Sequence, residues 1–240
     1  MQPRTAAERI ALRSRTITIA SLAILTLLAW AYLLSGAGMG AMAGMVAMAP
    51  GWPLIFAMWA AMMVAMMLPS AAPAILLYAR VHRHSAGISG APPTGTFLGG
   101  YLFCWLAFSA IAATLHQALE GDAFANPHAA AALLVGAGLY QLSPLKNACL
   151  AHCRSPAEFL TRHYRPGLSG ALRLGLLHGA FCVGCCWLLM ALLFVGGVMN
   201  LSWVAVLTLL VAAEKLLPAG RIVALIAGLA FIGWGITLLV

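Results

Sequence analysis

Long runs of apolar residues make up most of the chain, and short polar segments separate them. These runs predict helices over about 16–35, 52–78, 95–117, 129–149, 172–196, 201–217 and 222–240. Each run approaches the roughly 20 apolar residues that cross a bilayer core, and the sixth is short. The pattern therefore predicts an all-α, polytopic transmembrane helix bundle of about seven spans. It forms a single membrane domain, residues 16–240, behind a basic N-terminal segment, residues 1–15.

The composition agrees with this pattern. Of the 240 residues, 63% are hydrophobic and only 8% are charged, against about 25% charged residues in a soluble domain. The first apolar run is too long for a typical signal peptide, so we expect it in the mature protein. Within the fourth run, Ser143-Pro144 is typical either of a kink or of a new helix that begins with a serine cap.

The basic residues indicate the orientation in the membrane. All 13 lysines and arginines fall in segments that the seven spans assign to one side, beginning with the arginines of the N-terminal segment. Cytoplasmic loops carry this excess, so the N-terminus is predicted to be cytoplasmic and the C-terminus external. The net charge of +8 is then a topology signal, and it gives no support to nucleic-acid binding.

Cysteine and histidine share one face of the fifth predicted span. His178, Cys182, Cys185 and Cys186 cover an arc of about 100° on a helix. Small cysteines also occur in tightly packed helices for steric reasons alone, but an ionisable group at this depth needs a partner. The cysteines in predicted membrane or cytoplasmic-edge positions argue against a structural disulfide framework. The stripe therefore predicts a metal or redox site.

A second pair of thiols lies at the cytoplasmic end of the fourth predicted span. Cys149 and Cys153 are four residues apart, so they share a helix face, with Lys146 and Arg154 nearby. A nearby cation favours the thiolate form that binds metal. The alternative is an interfacial helix whose cysteines have no ligand role.

Two groups of methionines add thioether ligands. Met58, Met62, Met63, Met66 and Met67 lie on the second predicted span, where methionine is also an adaptable core residue. A second group recurs at every third position in a predicted outer loop, where packing is a weaker explanation: Met39, Met42, Met45 and Met48. Thiolates and thioethers together suit Cu(I), and Zn remains possible.

One acidic and one basic residue are neighbours near the inner end of the sixth predicted span. Glu214 and Lys215 are predicted to form either an ion pair or a proton site, and pairing is the simpler interpretation. There is no phosphate-binding G-x-x-x-x-G-K-[ST] motif, so any transport is expected to be driven by a gradient or by exchange.

Four ordered blocks resemble a bacterial family of predicted metal-binding integral membrane proteins, a domain of unknown function in which some members are labelled copper chaperones. The blocks are MWAAMMVAMMLPSAAP, YQLSPLKNACLAHCRSP, HGAFCVGCCWLLMALLFVGGVMN and the Glu214-Lys215 pair, and they cover roughly residues 50–220. The resemblance implies metal binding in a bacterial inner membrane without a settled activity. By motif match, the implied metal residues are Met58, Met62, Met63, Met66, Met67, Cys149, Cys153, Cys182, Cys185 and Cys186.

The sequence thus predicts a membrane-embedded relay for a soft metal ion, most simply Cu(I), from thioethers outside to thiolates inside. Expected partners are the lipid bilayer and a copper-dependent membrane enzyme or copper chaperone, with a homo-oligomer possible and no nucleic acid. Transport and delivery of copper remain equal alternatives, and neither requires an enzyme. Two alternatives remain: a thiol-disulfide carrier that uses the paired cysteines, and a metal-free assembly subunit.

Overall fold

The computed structural model describes residues 6–35, 51–85, 93–119, 126–198 and 200–239. Within these ranges the regular structure is entirely helical, as the apolar runs predict. The helices are α1 (Ala6–Leu34), α2 (Trp52–Ser85), α3 (Thr94–Ala118), α4 (Pro127–Leu142), α5 (Pro144–Arg154), α6 (Pro156–His163), α7 (Gly167–Ala191), α8 (Leu193–Gly196), α9 (Leu201–Leu216) and α10 (Gly220–Thr237).

Five segments are long and apolar enough to cross a membrane. They are 15–34, 52–82, 94–118, 167–196 and 220–237. The helices α4 and α9 are apolar but have only 16 residues each, which is below the roughly 20 of an upright span. Seven spans therefore stays a prediction, while a bundle with five candidate spans is observed.

The fourth predicted span, 129–149, is not one continuous helix. It divides at Ser143, which ends α4 and caps α5 by accepting a hydrogen bond from the Lys146 backbone N–H. Pro144 occupies the first position of α5, where its missing N–H costs nothing. The alternative of a serine-capped new helix is thus confirmed, and the break turns α5 toward α7.

Close helix contacts at small residues bring the site elements together. The helices α3 and α7 pack against each other along their length. A Cβ atom added to Gly175 of α7 would lie only 2.1 Å from the carbonyl oxygen of Phe97 on α3, so this approach requires glycine. Gly138 of α4 has the same role against Gly228 of α10. Two closely packed helix pairs result, and α2 packs against α1, α3 and α9.

Candidate metal centre

The predicted stripe on α7 is confirmed as a buried face. His178, Cys182, Cys185 and Cys186 each expose at most 2% of their surface. The face is buried because α7 packs against α3 on one side and α5 on another. Three thiols and one imidazole are therefore enclosed by protein rather than directed to lipid.

Cys182 lies at the centre of this buried face. Its Sγ atom is 3.0 Å from Nζ of Lys215 on α9 and 3.2 Å from the hydroxyl oxygen of Tyr101 on α3. The Tyr101 hydroxyl also donates a hydrogen bond of 3.1 Å to the backbone carbonyl of Met67 on α2. Residues from three helices therefore meet at one sulfur atom, and α2 joins them through its hydrogen bond with Tyr101.

The other two thiols of α7 point the same way. The Sγ atoms of Cys185 and Cys186 both donate to the carbonyl oxygen of Cys182, at 3.1 and 2.9 Å. Cys186 Sγ also lies 3.9 Å from the thioether sulfur of Met67. The α7 thiols and the Met67 thioether thus belong to one site.

A fourth thiol joins from α5. Cys153 is partly exposed, and its side chain interacts with the thiols of Cys182 and Cys185. Cys186 interacts with the same two thiols. The sequence had separated Cys153, near the cytoplasmic edge, from the α7 thiols near mid-membrane, whereas the fold brings them together. We refer to Cys153, Cys182, Cys185 and Cys186 as the thiol cluster.

Cys149, the other thiol of α5, lies beside α7 at a different place. A Cβ atom added to Gly184 would be 3.0 Å from Cys149 Sγ, so this thiol packs onto the glycine gap of α7. Cys104 on α3 donates to the Leu176 carbonyl at 3.3 Å. These two cysteines pack at the edges of the site.

The methionines of α2 are all buried, but they differ in position. The hydrophobic core includes all five of them, Met58, Met62, Met63, Met66 and Met67. Of the five, within the described ranges, only Met67 lies at hydrogen-bond distance from a thiol. The outer-loop methionines, Met39, Met42, Met45 and Met48, lie outside the described residues.

His178 lies one helical turn before Cys182, among aromatic rings. Its ring centroid is 5.7 Å from that of Tyr101, 5.4 Å from that of Phe159 and 6.1 Å from that of Phe97. Its Nδ1 atom is buried and has no hydrogen-bond partner among the residues that the structure describes. A buried imidazole nitrogen without a partner is a rare feature, and it leaves a nitrogen donor next to the thiols.

The expected pairing of Glu214 with Lys215 is wrong. Glu214 accepts hydrogen bonds from Lys146 Nζ and Gln141 Nε2, each with a donor–acceptor distance of 2.6 Å. Lys146 also donates to Gln141. Lys215 instead reaches Cys182, Ser70 and Met67. Successive residues on a helix are about 100° apart, so these neighbours face different sites.

Sequence reasoning missed three residues of the site, Lys215, Tyr101 and Ser70. The adjacent glutamate supplied an apparent partner for Lys215. Ser70 and Tyr101 have no distinctive spacing relative to the cysteines. A useful signal for Lys215 was its place in an apolar helix, since a buried ammonium group requires a partner that can carry negative charge.

The thiol cluster is compact without being preformed for a metal. In the part of the chain that the structure describes, no group of three or more His, Cys, Asp or Glu side chains is arranged to hold a metal ion. Two of the thiols are turned toward the Cys182 carbonyl. Loading the cluster would therefore require rotation of these side chains toward a shared centre.

The chain matches a known protein family. A family model described as "PpoB2: Copper chaperone" matches residues 56–238. This range contains the whole thiol cluster, the α2 methionines and Lys215. No curated protein and no solved structure matches the chain.

Proposed function

The chain belongs to the PpoB2 copper-chaperone family, and we propose that it binds Cu(I) at the thiol cluster and transfers it within a membrane. The family name supports copper as the cargo. The choice of Cu(I) rests on ligand chemistry, since thiolates and thioethers bind soft ions and leave hard divalent ions to oxygen ligands. Zn is the less favoured alternative, and no enzymatic step is required.

The observation that carries this proposal is the interaction of Cys153 of α5 with Cys182 and Cys185 of α7, next to Cys186, whose sulfur lies 3.9 Å from the Met67 thioether. Cys153 and Cys186 each interact with both Cys182 and Cys185, so the cluster offers several pairs that can hold Cu(I) between two sulfur atoms. A thiolate also neutralises the charge of the ion, which lowers the cost of burying it. His178 supplies a further donor one turn away. We propose that the other candidate ligands, Cys149, Met58, Met62, Met63 and Met66, line the path to the cluster.

The membrane is part of the proposal. Five apolar helices and large exposed apolar side chains such as Leu27, Ile111 and Leu209 suit a lipid environment. The basic segments support an inner membrane of a bacterium, with the N-terminus cytoplasmic and the C-terminus external. We propose that Met39, Met42, Met45 and Met48 capture the ion outside and that the thiol cluster accepts it. A copper-dependent membrane enzyme or a copper chaperone is the proposed recipient, and a homo-oligomer is compatible with this arrangement.

The test is a Cu(I) titration of the detergent-purified protein, under reducing conditions, against a competing chelator. The wild type is expected to bind Cu(I) tightly, and the Cys182→Ser/Cys185→Ser variant is expected to lose this binding. Cys104→Ser is the matched control. The Cys104 thiol donates to the Leu176 carbonyl, so this variant should retain the wild-type affinity for Cu(I). Undiminished binding by the double variant would exclude the thiol cluster as the copper site.

A second candidate function is a thiol-disulfide carrier. The contact of Cys153 with Cys182 and Cys185, with an ammonium group 3.0 Å from the Cys182 sulfur, also suits thiol exchange. In that reaction two thiols form a disulfide while two electrons and two protons pass to a partner disulfide. Acid trapping of the thiols in cells distinguishes the two functions. A copper carrier is expected to keep all six cysteines reduced, whereas an exchange protein would accumulate a disulfide that includes Cys153 or Cys182.

A further inference from the structure

Lys215 is a buried cation in contact with the thiol cluster. It exposes only 6% of its surface, and its Nζ atom is 3.0 Å from Cys182 Sγ, 3.4 Å from Ser70 Oγ and 3.9 Å from Met67 Sδ. Neither a hydroxyl nor a thioether carries a charge that offsets an ammonium group. Only the sulfur of Cys182 among these three contacts can become an anion.

The carboxylates among the described side chains are engaged away from Lys215. Two acidic side chains lie within the part of the chain whose side chains are described. Glu214 pairs with Lys146, and Glu158 pairs with Arg162. A buried ion without a counter-charge is costly, so the thiol cluster is the natural anionic partner of Lys215.

We propose that Lys215 is the counter-cation of the loaded thiol cluster and makes it selective for a monovalent soft ion. This inference rests on the proposed function. A monovalent ion held by two thiolates has a net charge of −1, which the ammonium group neutralises. A divalent ion held by two thiolates is already neutral, so the same ammonium group leaves a buried charge of +1. Because buried net charge is unfavourable, Lys215 favours the monovalent complex.

In this arrangement Lys215 is a positioning residue rather than a ligand, since a protonated amine has no lone pair. It acts on the metal through the sulfur that it touches. Two further residues order the surroundings of the ammonium group. Tyr101 donates a hydrogen bond to the Met67 carbonyl, and the Ser70 hydroxyl lies next to Nζ. Lys215 is therefore expected to change the preference between monovalent and divalent ions, rather than to change the affinity for all ions equally.

Two probe ions separate this charge effect from a structural one. Ag(I) and Hg(II) both bind readily between two thiolates, but they differ by one unit of charge. Competition with a small thiol chelator gives the affinity of the detergent-purified protein for each ion at one pH. The variants are Lys215→Met, which keeps length and removes charge, and Lys215→Arg, which keeps the charge.

Lys215→Met is expected to weaken Ag(I) binding by about 10- to 100-fold, the range for residues that support metal ligands, and to leave Hg(II) binding unchanged or stronger. Lys215→Arg is expected to restore the preference for Ag(I). The matched control is Lys146→Met combined with Glu214→Gln. It removes another buried ion pair, in which the Lys146 ammonium group bonds Glu214 and Gln141 rather than a thiol, and it should leave the ratio of the two affinities at the wild-type value.

Equal weakening of both ions in Lys215→Met would show a structural role and overturn the inference. Unchanged affinity for both ions would overturn it as well. In either case Cu(I) binding by the wild type and its loss in Cys182→Ser/Cys185→Ser would leave the proposed function standing. Failure of the wild type to bind any of the three ions would overturn both.

Discussion

Lys146 donates a hydrogen bond to the Glu214 carboxylate at a distance of 2.6 Å, and both side chains are almost completely buried. The pair joins α5, the helix that carries Cys153, to α9, the helix that carries Lys215. Gln141 of α4 bonds both members and completes the set. This small polar core therefore holds together two of the helices that supply the thiol cluster and its cation.

Removing one charge from this pair should destabilise the fold strongly. Lys146→Met leaves the Glu214 carboxylate buried without its cation, with an expected loss of about 3–5 kcal/mol in the free energy of unfolding. Glu158→Gln breaks an exposed pair with Arg162 and should cost less than about 1 kcal/mol. Thermal unfolding of the two variants and the wild type in the same detergent measures both losses of stability. Similar losses in the two variants would contradict the structural importance of the buried pair.

The two thiols of α5 should differ in their effect on copper binding. Cys153 interacts with Cys182 and Cys185, whereas Cys149 packs against Gly184. Cys153→Ser is therefore expected to lower Cu(I) affinity by at least about tenfold, as loss of a supporting or direct ligand does. Cys149→Ser should have a smaller effect. The same chelator competition measures both, and a larger effect of Cys149→Ser would contradict this assignment.

Met67 should be the methionine of α2 that matters most for the metal. Its thioether sulfur lies 3.9 Å from both Cys186 Sγ and Lys215 Nζ. Met67→Leu keeps the side-chain volume close to constant and removes the sulfur, so we expect Cu(I) affinity to fall by about tenfold with little change in stability. Met63→Leu is the matched control, because Met63 is an equally buried core residue. Equal affinity of both variants would show that Met67 acts only in packing.

Gly175 should be essential for the contact between α3 and α7. A Cβ atom there would overlap the Phe97 carbonyl at 2.1 Å, so Gly175→Ala forces the helices apart and should cost about 1–3 kcal/mol. Gly99 of α3 has no atom within 4 Å of an added Cβ. Gly99→Ala should therefore gain stability, by about 0.5–1 kcal/mol, because alanine favours the helix. Unfolding midpoints of the two variants give the comparison.

Local patterns predicted some of this structure and long-range packing determined the rest. Helical periodicity grouped His178, Cys182, Cys185 and Cys186, because residues three or four positions apart on a helix share a face whatever surrounds them. The cap at Ser143 is equally local. Periodicity carries no information about which helices meet, so the approach of Cys153 to Cys182 had no signal in the sequence.

The charged residues were harder to predict for the same reason. Glu214 and Lys215 are adjacent, and adjacency suggested a pair. On a helix, adjacent side chains diverge, and the partners that each one finds lie on other helices. The apolar surroundings correctly indicated that each charge needs a partner, but only the packing of α5, α7 and α9 identifies them.

The divergence of Glu214 and Lys215 also restricts how the bundle can assemble. If α9 were displaced by one residue in one direction, Lys215 would take the place of Glu214 beside Lys146. Displacement by one residue in the other direction would put the Glu214 carboxylate in the place of Lys215, beside the cysteine sulfur. Both encounters would bury uncompensated or like charges. The order of these two residues therefore disfavours misassembled registers of α9, a form of specificity that a uniformly apolar helix would lack.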